Sequence, residues 1–491
     1  MPADRFTDAD RDLWAYGYVY DSWPRATGTK LEGKPAMKRY TSIICILLIA
    51  LAVAACVPVP ISEVPMATEE EPAPAAQEEA MAPAEAPTDI SCENSYRGES
   101  LTVYQQAALT GPLATVTGTG FVSAAQDALD QINADGGVCG VMLDLRVEDT
   151  QYVVEQEIRV YEQYREDTPK PLFIITTNSA ATIALKDRVV EDEIVNIAPG
   201  VHAHSLYDPA DGYTVGMVPI YSDQFAGFLQ FVHDNWADIK PEGAGDAITV
   251  GAIGWANAFG AGATTPEALA FAASLGVTVL PLEEQAVDPS ADVTGQLQNL
   301  LVNGANVIYM QSLSFGIAQV VGTLHALGFY DQVVLGSVNW GMNRDVLNIL
   351  GQNSPLAAGY YGVFPYLWWT DTHAPGVQRA LETFDSKGYP ESEKAFTYLL
   401  MYSTMFGIAD VLTVAMNNAG FDGLSGAEFL RAMQEMGTIS AAGVFEMNVE
   451  GSNRAPNLAQ IRQAQVMPDG SVDFVVVQDF MALPDTRPEP E

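Results

Sequence analysis

Six short segments carry the residue types from which a site for a small polar molecule is built. They are 110–117, 176–182, 198–202, 254–262, 311–315 and 337–340, rich in Ser, Thr, Asn, Gly and aromatics and without a single Asp, Glu, Lys or Arg. In the second, Ser179 stands where a helix is expected to begin, so its hydroxyl and the amides of Ala180 and Ala181 could receive an anion. It reads equally well as a helix-capping serine, as any of these segments could be an ordinary loop. His202 and His204 have the spacing of two metal ligands, yet no third ligand is evident and no metal or other cofactor is expected. The chain has no GxSxG elbow, HExxH or GxxxxGK[ST] motif, and Gly118-Thr119-Gly120 lacks the third glycine of a dinucleotide loop. Catalysis is therefore not expected; a surface hydrolase would need an activated nucleophile, and none is found.

A run of alternating strands and helices must position these segments. Leu101–Ala108 predicts a strand, and Val122, Ala125, Leu129 and Ile132, spaced by three, four and three, predict a helix. That helix stops at Asn133-Ala134-Asp135-Gly136-Gly137, where glycine takes a left-handed cap. Strands at 141–147, 172–176 and 194–198 alternate with helices around 154–161 and over 180–190. After Pro219 the alternation restarts, with helices at 224–236, 266–275, 293–301 and 317–327 between strands at 248–253, 277–282, 307–311 and 333–335. Such βαβ repetition makes parallel sheets, and this many strands exceeds one ordinary domain. The expected fold class is α/β, with two doubly wound, mainly parallel sheets. Ligands bind beyond the carboxyl ends of parallel strands, which is where the six segments fall.

The chain has 491 residues with 62 acidic and 23 basic side chains, a formal charge of −39, and no basic patch, so nucleic acid is not an expected partner. Lys38-Arg39 precedes an uncharged run, Thr41–Ala55, that ends at Cys56. Basic residues before a short apolar run describe a secretory signal, and Ile43–Ala55 is short of the roughly 20 residues that span a bilayer. Leu51-Ala52-Val53-Ala54-Ala55-Cys56 resembles the lipobox of bacterial lipoproteins, which implies cleavage before Cys56 and diacylation of its thiol; an unmodified Cys beside an ordinary cleavage site is the alternative. Translation is then expected to start at Met37, with residues 1–36 an upstream extension and 37–55 the signal. From Val57 to Ile90 the chain is mostly Pro, Ala, Glu and Val with no Lys or Arg, a composition that makes an extended tether reaching ~100 Å at about 3.1 Å per residue. With Cys45 in the signal and Cys56 lipidated, Cys92 and Cys139 remain; in an oxidising compartment a disulfide is favoured over a metal site, there being no CxxC.

Several stretches, in order, resemble the branched-chain amino acid type of ABC-transporter solute-binding protein. These are Leu109-Thr110-Gly111-Pro112-Leu113-Ala114, Gly118, the run from Ala128 to Gly137, and the helix entry from Val287-Asp288 to Leu301. Gly304-Ala305-Asn306-Val307-Ile308, His325-Ala326-Leu327-Gly328-Phe329, Gly359-Tyr360-Tyr361-Gly362-Val363 and Gly443-Val444-Phe445-Glu446-Met447 continue the likeness, which covers roughly residues 98–480. The resemblance implies a type I periplasmic-binding-protein fold: two lobes, a three-crossing hinge, and a solute trapped by hinge closure. By position the crossings are expected near 218–220, 364–366 and 441–444. Lobe one would comprise 98–219 and 365–442, lobe two 220–364 and 443–483, with 56–97 a tether and 484–491 a tail. The implied role is a monomeric receptor, outside the cytoplasm at the periplasm or cell surface, held by its lipid and passing a small solute to ABC permease subunits. A sensing receptor on the same fold is the alternative.

The resemblance carries residue roles best in lobe one. In amino acid binders a serine in the loop after the third strand meets the ligand carboxylate, and Asn178-Ser179-Ala180-Ala181-Thr182 occupies that loop, with Ser179 at the matching position. The next loop departs: Ala198-Pro199-Gly200-Val201-His202 puts His202 where the family often has Thr, to donate to a carboxylate or simply cap the loop. In lobe two the family usually presents an acid to the ligand ammonium near the strand end at Leu335-Gly336, but here no acid occurs before Asp345. Trp255, Phe259, Phe315 and Trp340 instead suggest an aromatic or amide-bearing ligand gripped by stacking, with about half of them expected to fill the core. The candidate ligand-facing residues are Thr115, Asn178, Ser179, Ala180, Gly200 and His202 in lobe one, and Trp255, Phe259, Ser312, Asn339 and Trp340 in lobe two. Trp368-Trp369 and Tyr398–Phe406 read as packing residues.

Overall fold

The computed structural model describes residue 83 and residues 90–488. The signal, Cys45, Cys56 and nearly all of the tether lie outside the described residues. From the amino-terminal side the first sheet is built from β1 (Ser100–Ala107), α1 (Gly120–Ala134), β2 (Met142–Asp149), α2 (Val154–Tyr164), β3 (Phe173–Ile175), α3 (Ser179–Asp192), β4 (Val195–Ala198), α4 (Ala203–Tyr207) and β5 (Thr214–Gly216). Its strands run parallel in the order β2-β1-β3-β4-β5. The buried face of α1 is Phe121, Ala124, Ala125, Ala128, Leu129 and Ile132, which includes Ala125, Leu129 and Ile132 of the expected stripe, while Val122 is only half-buried beside it.

The chain then enters α5 (Tyr221–Ile239) and a second parallel sheet. Its elements are β6 (Thr249–Trp255), α6 (Ala258–Ala261), α7 (Pro266–Ser274), β7 (Thr278–Val279), β8 (Glu283–Gln285), α8 (Thr294–Val302), β9 (Val307–Gln311), α9 (Ser314–Leu327), β10 (Val334–Ser337) and α10 (Arg344–Leu350). The order is β10-β9-β6-β7, with β8 also on β6. One strand was expected over 277–282; it is split into β7 and β8, because Pro281 between them has no N–H to give the ladder.

Three later segments complete the two lobes. β11 (Tyr361–Phe364) leads to α11 (Pro375–Lys387), α12 (Phe396–Ala419), α13 (Gly426–Met436), β12 (Thr438–Ala441) and β13 (Phe445–Asn448), then to β14 (Leu458–Val466) and β15 (Val472–Ala482). β11, β14 and β15 pair antiparallel beside lobe two, whereas α12 lies on α1 in lobe one. α12 is long and apolar enough to cross a membrane, but most of it is buried in the protein. The buried apolar residues of both lobes form one continuous core, and a second, smaller cluster lies under α2 and α3.

The chain departs from the expected boundaries in three places. It does not cross at 441–444: Ala442 and Gly443 both take positive φ, Val444 N–H returns to the Ala441 carbonyl at 2.9 Å, and the result is the β12–β13 hairpin. It stays with lobe one as far as Arg454, whose carbonyl accepts from Gly216 N–H at 2.7 Å, and reaches lobe two only at β14. Residues 91–97 are largely exposed but fastened to lobe one: Cys92 is disulfide-bonded to Cys139, Tyr96 N–H donates to the Cys139 carbonyl, and the Tyr96 ring meets Phe421. The final segment is also held, because Thr486 donates its N–H and hydroxyl to Asp223 at 2.7 Å and Arg487 donates to Asn453 Oδ1 at 2.7 Å.

Candidate functional site

Loops from the carboxyl ends of both sheets meet around a small cavity. Tyr152 after β2 and Thr177 after β3 come from lobe one; Tyr221 opens α5; Phe259 in α6, Leu313 after β9 and Trp340 after β10 come from lobe two. The cavity has a volume of about 10 Å³, room for about one water in this arrangement of the lobes, and none of its six lining side chains is charged. Trp340 reaches across from lobe two: its ring centroid lies 6.0 Å from that of Phe121 on α1 and 5.1 Å from that of Phe396 on α12. A roomier hollow exists at the amino-terminal ends of β1 and β3, lined by residues such as Ser100, Lys170 and Glu193, but no strand carboxyl end or lobe-two residue faces it.

Only Phe259 and Trp340, of the residues singled out from the sequence, line this cavity. Asn178, not Ser179, caps α3: its Oδ1 accepts from Ala180 N–H at 2.9 Å while its Nδ2 donates to the Tyr152 carbonyl at 3.1 Å. Ser179 is the first helical residue, buried, and its hydroxyl lies 3.2 Å from the Tyr221 hydroxyl. Ala180 is half-buried on the same turn. Gly200 backs this loop, since a Cβ there would stand 3.0 Å from Ser179 Oγ and 3.1 Å from the Thr177 carbonyl oxygen. His202 caps α4, with Nδ1 accepting from His204 N–H at 3.3 Å; burial, then the neighbouring His204, pulls its pKa down to about 4, so the ring is neutral. Thr115 is exposed and away from the cavity lining.

In lobe two, Trp255 is fully buried at the end of β6 against Phe259 and Phe315, at 5.9 and 5.0 Å between centroids, and serves the core. Ser312 and Asn339 are also fully buried outside the lining. The Ser312 hydroxyl and both ends of the Asn339 amide have no hydrogen-bond partner, while Asn339 N–H donates to Gln224 Oε1 at 3.0 Å. Asp345 faces Asn343, whose Nδ2 donates to it at 3.0 Å; burial pushes its pKa up to about 7, and it does not reach the lining.

Four lining residues were not singled out from the sequence. Thr177 and Leu313 fall inside the segments read as loops, and Tyr221 follows Pro219 at the first crossing, but nothing in the pattern flags Tyr152. Burial pushes the Tyr221 hydroxyl up to about 12, so it stays a neutral donor and acceptor beside Ser179. Behind Tyr152, Glu157 is fully buried on α2, with Oε1 accepting from Thr150 Oγ1 at 3.3 Å and the Asn178 N–H nearby; burial pushes its pKa up to about 8. The lining is thus uncharged, with hydroxyls on Tyr152, Thr177 and Tyr221 and apolar surface from Phe259, Leu313 and the Trp340 indole, a make-up suited to a small molecule.

A family model described as periplasmic binding protein matches residues 107–470, most of the chain, and the protein belongs to that family. Its fold is the type I fold of solved solute-binding proteins. A branched-chain amino acid ABC transporter protein from Thermus thermophilus with bound valine superposes with a TM-score of 0.64 at 18% identity, covering 79% of this chain and 97% of that one. A fatty acid ABC transporter substrate-binding protein from Thermomonospora curvata gives 0.63 at 18%, covering 81% and 96%. A solute-binding protein from R. palustris in complex with 4-hydroxybenzoate gives 0.63 at 14%, covering 79% and 98%. No protein of curated function matches the chain by sequence.

Proposed function

We propose that this protein is the extracytoplasmic solute receptor of an ABC importer, held to the membrane by lipid on Cys56, which captures a small polar solute between its lobes and delivers it to a permease. The observation that carries this reading is the uncharged cavity lined from both lobes, with Trp340 of lobe two seated on Phe121 and Phe396 of lobe one. A site divided between two bodies joined by short crossings is filled and closed by one motion. Its neighbours in fold are solute-binding proteins that hold valine and 4-hydroxybenzoate, which supports an amino acid, an amide or an aromatic acid as the kind of solute. The absence of an acid from the lining argues against an α-amino acid, whose ammonium would have no counter-charge.

A thermal-shift screen of the protein against amino acids, amides, urea and aromatic acids tests the reading, because a solute that binds only the folded protein raises its melting temperature by mass action. A clear rise with one chemical class is expected. Cooperative melting with no rise for any class would sink the receptor role. For the anchor, Cys56→Ser should release the protein from the membrane fraction; retention would count against the lipid.

A further inference from the structure

The receptor role leaves the choice among solutes open, and the part assigned to Tyr152 rests on that role. Tyr152 stands in an unusual piece of backbone. Gln151 and Tyr152 have φ of 55° and 59°, two successive non-glycine residues in the left-handed region. Such conformations persist only where surrounding contacts over-determine them, and here the contacts are dense. The Asp149 carboxylate accepts from Gln151 N–H at 3.0 Å, Leu109 N–H at 2.9 Å, Thr110 N–H at 3.3 Å and the Thr110 hydroxyl at 2.6 Å, tying the loop after β2 to the loop after β1. Asn178 Nδ2 holds the Tyr152 carbonyl from the α3 side, and Val153 N–H donates to the Thr150 carbonyl at 2.9 Å. Three loops of lobe one therefore cooperate to hold one side chain at the cavity wall.

That side chain differs from the other rings of the wall. Tyr221 and Phe259 pack edge-on to each other at 5.0 Å, and Trp340 packs on Phe121 and Phe396. Among the described residues Tyr152 forms no ring pair, and it is the one aromatic side chain that lobe one's strand-end loops bring to the cavity. Lobe two contributes the apolar side chains of Phe259 and Leu313 and the indole of Trp340, whose buried N–H has no hydrogen-bond partner. Thr177 Oγ1, also buried, has no hydrogen-bond partner. A wall of this make-up matches a molecule with a flat apolar body and one or two polar atoms at its edge.

We propose that Tyr152 is the specificity-determining residue of the receptor and selects a solute with a planar, unsaturated ring and no ammonium group, gripped on its flat face when the lobes close. Offset or edge-on ring contacts discriminate such a solute from an aliphatic one of equal volume, because they depend on ring shape and quadrupole as well as on buried area.

The test is isothermal titration of the full chain with benzoate, 4-hydroxybenzoate, L-valine and L-leucine, in the parent and in Tyr152→Leu, Tyr152→Ala and Tyr152→Phe. The aromatic acids are expected to bind the parent and Tyr152→Phe within about threefold of each other, and to bind the Leu and Ala variants about tenfold more weakly. Leu preserves apolar bulk without the ring, and melting curves establish that each variant folds. Equal affinity of the parent and Tyr152→Leu for benzoate overturns the proposal. So does valine or leucine binding the parent more tightly than either aromatic acid, an outcome in which the receptor role stands and only the ring selection fails. Failure of all four probes to bind overturns the ring class, while the wider thermal-shift screen decides the receptor role separately.

Discussion

Removing the Trp340 ring tests whether solute capture and lobe contact are the same event. Trp340 belongs to lobe two, is 3% exposed, and rests on Phe121 and Phe396 of lobe one. In Trp340→Ala two ring pairs are lost, each contributing about 0.5–1.5 kcal/mol beyond area burial. A Trp side chain buries about 150–250 Å², which at about 25 cal/mol per Å² is about 4–6 kcal/mol, an upper figure since part of that surface stays covered when the lobes part. A net penalty of about 2–4 kcal/mol on the closed form is expected. If only the closed form holds solute, the same penalty appears as an affinity about 30- to 1000-fold weaker. Titration calorimetry with the tightest solute of the thermal-shift screen reads the affinity, and small-angle scattering at saturating solute reads the separation of the lobes. Trp340→Phe, which keeps a ring on the same wall, should fall between parent and Ala. The reasoning is refuted if Trp340→Ala binds within threefold of the parent. It is refuted as well if the melting temperature drops while affinity does not, since Trp340 would then be only a core residue.

Glu157 and Asp223 give a stability that depends on pH. Burial raises their folded pKa values to about 8 and about 7, above the 4.5 and 3.8 of the unfolded chain, so between these limits the folded protein holds more protons. Each group therefore stabilises fully below its unfolded value and loses that contribution as pH rises, by about 1.4 kcal/mol per pH unit, until its folded pKa is passed. Urea titrations at pH 5.5 and 6.5 should show stability falling with pH, and Glu157→Gln should remove about one proton's worth of that slope; an unchanged slope contradicts the assignment. Asp371→Ala should cost about 3–5 kcal/mol, because it strips the ion pair from Arg462, whose guanidinium is buried and also donates to Gln460 Oε1 at 2.8 Å and to the Phe474 carbonyl at 3.2 Å. A loss under 1 kcal/mol in chemical denaturation would show the pair to be dispensable. Cys92→Ser opens a bridge between residues 47 apart and should lower stability by about 4 kcal/mol on the chain-entropy account; a melting curve unchanged from the parent argues against it.

The strands and helices of both sheets were legible because they depend on local periodicity. Apolar runs such as 307–311, which matches β9, and helix stops at Gly136 and Gly328 are set by which side chains can face a sheet and which residues accept a left-handed cap. The strand-end loops that carry the site followed from the same alternation, since topology alone puts them at one edge of each sheet. The hairpin at Ala442-Gly443 was not legible: one of its two left-handed residues is an alanine, which no propensity assigns to such a turn.

Four of the six cavity residues were missed for a related reason. The aromatics Trp255, Phe259, Phe315 and Trp340 look alike along the chain, each at or shortly after a strand end, and burial divides them into core and wall only after two sheets have been brought together. Tyr152 reaches the wall because Asp149 at the end of β2 and Asn178 in the loop after β3 hold a left-handed backbone that its own residue type disfavours. The α/β alternation, the acidic charge balance and the uncharged character of the strand-end loops could all be read along the chain, being properties of neighbouring residues. Which side chains of those loops meet emerges only on folding, because contacts such as Trp340 with Phe121 join residues more than two hundred positions apart, and no local pattern encodes a distance of that kind.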